Sequence, residues 1–98
     1  MGDYVQVTVV YDTGMDDRVI EILDTLRVSG WTKVSEAQGF GGAGRKLNTP
    51  VFPGQVNMLW IVLPTAEVAP LVEALRALQA TYRRNPGLTL WTTPAMLY

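Results

Sequence analysis

The sequence predicts an α+β sandwich in which an antiparallel sheet carries two helices on one face. Three observations predict it. The stretch "YVQVTVVY" at 4–11 alternates with period two, apolar residues recur at helical spacing in two separate segments, and an almost wholly apolar strand, "QVNMLWIVL" at 55–63, lies between those segments. With short strands at 33–38 and 88–93 the order becomes strand, helix, strand, strand, helix, strand, the ferredoxin-like or split βαβ arrangement. Ninety-eight residues make one domain, 1–98, with a core of modest size.

In the first strand Val5, Val7, Val9 and Tyr11 share a face, and its β-branched residues suit a pleated sheet. The first helix follows from Val19, Ile22, Leu23 and Leu26, with Asp16 and Asp17 in its first turn. Thr13 and Asp16 have the spacing of a capping box, and Gly30 is the expected C-terminal stop. The third strand shows Leu59, Ile61 and Leu63 on one side and Val56, Met58, Trp60 and Val62 on the other, which predicts burial on both faces. Pro64-Thr65 ends it and caps a second helix striped by Val68, Leu71, Val72, Leu75, Leu78 and Tyr82. Pro70 falls in its opening turns, where a local distortion rather than a break is expected. "RRNPG" at 83–87 stops the helix before the last strand, "LTLWTT". With both helices on one side, the other sheet face has no cover within the chain, which predicts self-association.

The net charge of -1 and pI near 5.2 give no general attraction to nucleic acid. The absence of Cys and His removes disulfides, thiolate chemistry, the usual transition-metal ligands and the usual general base. No apolar run approaches the roughly 20 residues of a spanning helix, and "MGDYVQV" does not read as a signal sequence, so a cytoplasmic location is expected.

Between the second and third strands lies "GFGGAGRKLNTPVFPGQ" at 39–55. Gly39, Gly41 and Gly44 spell GxGxxG, but that motif requires its last glycine to open a helix, and Pro50 and Pro53 forbid one here. A Walker A pattern also fails, because Arg45 stands where Lys is needed and Leu47 where Ser or Thr would hold magnesium. Clustered glycine amides followed by Arg45 and Lys46 still suit an anion, in the manner of a backbone nest.

The segment "GWTKVSEAQGFG", with Glu36, Ala37, Gln38, Gly39, Phe40 and Gly41 ahead of a long loop, resembles the PII-like signal-transduction family over essentially the whole chain. "TPVFPGQVN" and "LWTTP" look more like a short-loop branch of that superfamily, often encoded near efflux transporters. The resemblance implies a homotrimer whose sheets face a common centre and whose small-molecule ligands, an adenine nucleotide among them, sit in clefts between subunits. It puts Gly39, Gly41, Gly42, Gly44, Arg45 and Lys46 forward as ligand-binding residues, with Arg84, Asn85 and Gly87 as a second group bordering the cleft. The chain departs from nitrogen-type members in three ways. "RRNPG" replaces their glycine- and lysine-rich ATP segment, no basic residue follows Arg84, and 42–54 contains no Tyr to modify.

Other constellations have plainer readings. Arg83 and Arg84 complement the second helix's dipole without any ligand. Trp31, Trp60 and Trp91 fit core or interface packing better than base stacking in an acidic chain without an RNA-binding signature. Glu36 and Glu67 form no catalytic pair, and Ser29 and Ser35 have no histidine to activate them. The expected protein is therefore a non-enzymatic, metal-free trimeric regulator that senses a small anionic metabolite or nucleotide and touches a target, a membrane transporter being the candidate, through its 42–54 loop. Its rivals are a ligand-independent adaptor trimer and a divalent-cation-tolerance-type trimer, the latter disfavoured by the lack of Cys and His. The glycine-rich arm, 41–46, is expected to lack regular structure until a ligand or partner orders it, with Val51 and Phe52 pinning the descending arm.

Overall fold

The computed structural model describes residues 3–38, 40–41, 44–45, 55–82 and 87–98. Its elements are β1 (Tyr4–Asp12), α1 (Asp16–Thr25), β2 (Thr32–Gln38), the short strands β3 (Phe40–Gly41) and β4 (Gly44–Arg45), β5 (Gln55–Pro64), α2 (Val68–Ala80) and β6 (Leu88–Ala95). The four long strands form one antiparallel sheet in the order β2-β5-β1-β6, as the ferredoxin-like reading requires.

The register explains the two-faced character of the middle strands. Val7, Val9 and Tyr11 of β1 lie opposite Ile61, Leu59 and Asn57 of β5, and all are buried. With Leu63 and Leu88 they meet Val19 and Leu23 of α1 and Leu71, Leu75 and Leu78 of α2, so both helices seal the same face. Met15 completes this core. The even-numbered residues of β1 and β5 point the other way, where the described residues supply no covering layer.

Both helices start alike. A 3-10 turn, Thr13–Met15 before α1 and Thr65–Glu67 before α2, links each strand to its helix, and neither start has a side-chain cap hydrogen bond. The Thr13–Asp16 capping box is thus not formed. Asp16 turns its carboxylate elsewhere, as shown below. Pro70 sits in the first turn of α2, where a missing N–H leaves no intrahelical bond unmade, and the tight 3-10 geometry precedes it.

The stop of α1 differs from the expectation. Val28 N donates to Leu23 O at 3.0 Å and Arg27 N to Asp24 O at 3.1 Å, a Schellman closure, and Arg27 takes the left-handed position with φ 55°. Gly30 lies beyond this closure. Arg27 holds a conformation that its Cβ disfavours, offset by Val28 packing onto the core. Arg27→Gly should therefore raise stability by about 0.5–1 kcal/mol, read as a higher urea midpoint with unchanged slope.

β6 runs to Ala95, two residues past the predicted end, and includes Pro94 opposite Val5. An edge strand tolerates proline because one side of its backbone needs no ladder bond. β2, the other edge, carries a bulge between Val34 and Ala37, where its register against β5 shifts by one residue.

Candidate ligand-binding site

Two short strands lie in a segment for which the sequence predicts no regular structure, with Phe40 pairing with Arg45 and Gly41 with Gly44 as a small hairpin. Gly41, Gly44 and Arg45 therefore lie on one small ribbon just beyond Gln38, where β2 ends. Gly39, Gly42, Lys46, Arg84 and Asn85, and the proposed anchors Val51 and Phe52, lie outside the described residues.

Gly87 is the described member of the second predicted group. It adopts φ 72°, a left-handed backbone that a side chain would strain, and its carbonyl accepts a 3.2 Å hydrogen bond from Asp12 N. Gln79 Nε2 donates to Leu88 O at 2.8 Å, tying the end of α2 to the start of β6. Gly87 thus enters β6 at the end of the sheet where β2 exits toward the hairpin, since Asp12 and Ala37 both pair with Val56.

The described members, Gly41, Gly44 and Arg45 on one side and Gly87 on the other, nevertheless belong to opposite edges. β5 and β1 separate β2 from β6, and three inter-strand spacings amount to roughly 14 Å. Along the sheet, one chain does not bring the hairpin side and the Gly87 side together.

A further concavity has no counterpart among the sequence expectations. A shallow depression of about 360 Å³ opens along the β2 edge, lined by Ser29, Gly30, Trp31, Thr32, Trp60 and Val62. Trp31 is 39% exposed. Two indoles beside the Ser and Thr hydroxyls can hold a flat heteroaromatic group by stacking and satisfy its polar rim. The signal in the sequence was the triplet Gly30-Trp31-Thr32 itself, since an aromatic that starts an edge strand has no core to enter. Trp60 belongs to a row that crosses all four strands on the open face, Thr32, Trp60, Thr8 and Trp91, and the neighbouring row is Val34, Met58, Val10 and Thr89. Trp91 is 47% and Val34 44% exposed.

Near the loop end of the sheet one carboxylate gathers three strands. Asp16, the first residue of α1, accepts from Tyr11 Oη at 2.5 Å and Asn57 Nδ2 at 3.0 Å through Oδ1, and from Lys33 Nζ at 3.0 Å through Oδ2. Desolvation pushes the Asp16 carboxyl up, but the hydrogen bonds from Tyr11, Lys33 and Asn57 together with the Lys33 charge outweigh it and leave it below the ordinary value. Burial, reinforced by the Asp16 hydrogen bond and charge, pushes the Tyr11 hydroxyl well above its ordinary range. Such a carboxylate is a fully engaged acceptor rather than a free base. Among the described residues no cluster of His, Cys, Asp or Glu is placed to hold a metal ion, and no helix is long and apolar enough to cross a membrane.

The architecture so described, βαββαβ with two helices on one face and a hairpin-bearing loop between the second and third long strands, is the ferredoxin-like fold as PII-like proteins carry it. Solved structures of this fold that match more than 90% of the chain include PII-like proteins. CPII, a nitrogen regulatory PII-like protein from Thiomonas intermedia K12 bound to ADP, AMP and bicarbonate, is 16% identical over 92% of this chain and 83% of its own, with a TM-score of 0.73. A DUF3240 family protein from Shewanella baltica is 21% identical over 100% of this chain and 96% of its own, with a TM-score of 0.74. A PII-like signalling protein from Thermus thermophilus is 21% identical over 92% and 84% respectively, with a TM-score of 0.61. No protein-family model matches the chain, and no curated protein matches it in sequence.

Proposed function

We propose that this chain is a PII-like regulatory protein that assembles as a homotrimer, binds an adenine nucleotide or another small anionic metabolite in the clefts between subunits, and contacts a target through its 42–54 loop. The observation that carries this reading is the placement of the two candidate half-sites on opposite edges of one sheet. In a ring that brings the β2 edge of one copy to the β6 edge of the next, a ligand touching both halves needs two subunits. The glycine-rich hairpin, Arg45 and Lys46 of one chain with Arg84, Asn85 and Gly87 of its neighbour would face the charged portion. That CPII was solved with ADP, AMP and bicarbonate supports the ligand class. The reading is regulatory rather than catalytic because the Asp16 carboxylate is engaged by the donors of Tyr11, Asn57 and Lys33, and the chain has no His or Cys. A cytoplasmic location and a transporter target belong to the same proposal.

Thermal unfolding with a panel of ADP, AMP, ATP and bicarbonate tests it. A ligand binding only the native trimer at about 100 times its Kd stabilises by roughly 2.7 kcal/mol and should raise the melting temperature by roughly 10–20 °C. A trimer whose melting temperature is indifferent to every member of the panel would favour the adaptor reading.

A further inference from the structure

We infer that the Lys33–Asp16 ion pair is a detachable latch that sets how firmly the bulged end of β2, and the hairpin that follows it, are held on the domain. The inference rests on the geometry of this one chain and does not depend on which ligand the protein binds.

The hub around Asp16 has two unlike halves. Tyr11 is fully buried and Asn57 nearly so, and both donate to Oδ1, so this half is a permanent part of the core. Lys33 alone uses Oδ2 in the hub, and here the side chains are 24% exposed on Lys33 and 26% on Asp16. If Lys33 leaves, the carboxylate keeps two donors and its freed oxygen meets water. Detachment therefore leaves no buried polar group unpaired, and a partly exposed pair of this kind contributes little to global stability.

Lys33 stands where a weak bond has local leverage. It is the second residue of an edge strand, opposite Leu59, and one residue short of the bulge that interrupts the ladder between Val34 and Ala37. Beyond the bulge the pairings are Ala37 with Val56 and Gln38 with Gln55, and the chain then enters the β3–β4 hairpin. An edge segment with a broken ladder opens at low free energy, so one side-chain tie from β2 to the start of α1 changes its opening without changing the rest. A movement of α1 at Asp16, or an anion that competes for the Lys33 ammonium, would then be felt at the hairpin.

The test is amide exchange followed residue by residue in wild type, Lys33→Met and Asp16→Asn. Lys33→Met keeps the aliphatic stem and removes the charge. Asp16→Asn keeps an oxygen for Tyr11 and Asn57 but turns an NH₂ toward Lys33. In both variants exchange over the described residues from Val34 to Arg45 should quicken about three- to fivefold, as expected for a partly exposed pair, and in Lys33→Met β1, α1 and the urea midpoint stay near wild type. Lys33→Arg should restore slow exchange. Unchanged exchange at 34–45 in both variants overturns the latch. So does acceleration spread evenly through β1 and α1 in step with a lowered midpoint, because the pair would then be an ordinary contributor to global stability.

Discussion

Trp60→Asp is expected to turn the proposed trimer into a folded monomer. Trp60 lies on the open face between Thr32 and Thr8, only partly buried within its own chain, while the core stands on the opposite side of the sheet. In the isolated chain the substitution meets water, so its cost is mainly the poorer strand preference of Asp, within about 1 kcal/mol. In an assembly that covers this face the same carboxylate loses its hydration with no cation opposite. Burying an unpaired charge costs on the order of 3–5 kcal/mol, more than a hundredfold in an association constant for each interface. Light scattering at micromolar concentration should change from about three times the 10.8 kDa chain mass to the chain mass itself, with circular dichroism unaltered. An assembled Trp60→Asp protein would show that the interface uses another surface. A monomeric wild type would remove the trimer altogether.

The fold was legible because its strongest signals are periodic and local. The alternation of Val5, Val7 and Val9, and the helical stripes of α1 and α2, each specify an element before any tertiary contact forms. The double-sided apolar character of 55–63 also located the central β5 and foretold an uncovered face. What escaped was set by pairing between distant residues. Asp16 looks like a capping partner for Thr13 three residues away, yet Tyr11, Lys33 and Asn57 reach it from three strands, and charge-assisted bonds from two nearly or fully buried donors outcompete a local cap. Arg27 rather than Gly30 closes α1 because the position of Val28, drawn into the core, decides where the chain must turn. The pairing of Phe40–Gly41 with Gly44–Arg45 was hidden because glycines in a sequence read as conformational freedom. Gly41, Gly44, Arg45 and Gly87 were put forward from the sequence. That the first three follow one edge strand while Gly87 precedes the other, and that a depression opens beside Trp31, depends on strand order and was not legible there.

Removing the hub's acceptor should destabilise the folded chain strongly. Asp16→Ala leaves the buried Tyr11 hydroxyl and the Asn57 amide each without the oxygen they now donate to. A buried donor left unsatisfied costs about 1–3 kcal/mol, so the variant should lose about 3–4 kcal/mol, a large share of the roughly 5–15 kcal/mol that holds a domain of this size. The urea midpoint should fall accordingly. A loss below about 1 kcal/mol would mean that water or a rotated Asn57 replaces the carboxylate at no cost. The pH dependence follows with a definite sign. The folded Asp16 carboxyl is depressed below its ordinary value, so its contribution is fully present above about pH 4, near the unfolded value, and is lost as pH falls through the lower folded one. Tyr11 acts oppositely, because a raised folded value gives stability that is complete below about pH 10 and is lost as the pH climbs beyond it. The difference in unfolding free energy between wild type and Asp16→Asn should therefore be flat through neutral pH and shrink on the acid side, apart from the alkaline loss that Tyr11 brings above about pH 10. Asp16→Asn keeps the oxygen for its two buried donors, so the acid limb isolates the carboxylate's charge from its geometry. A difference that shrinks instead between pH 5 and 7 would assign the titration to another group and remove Asp16 from the centre of the network.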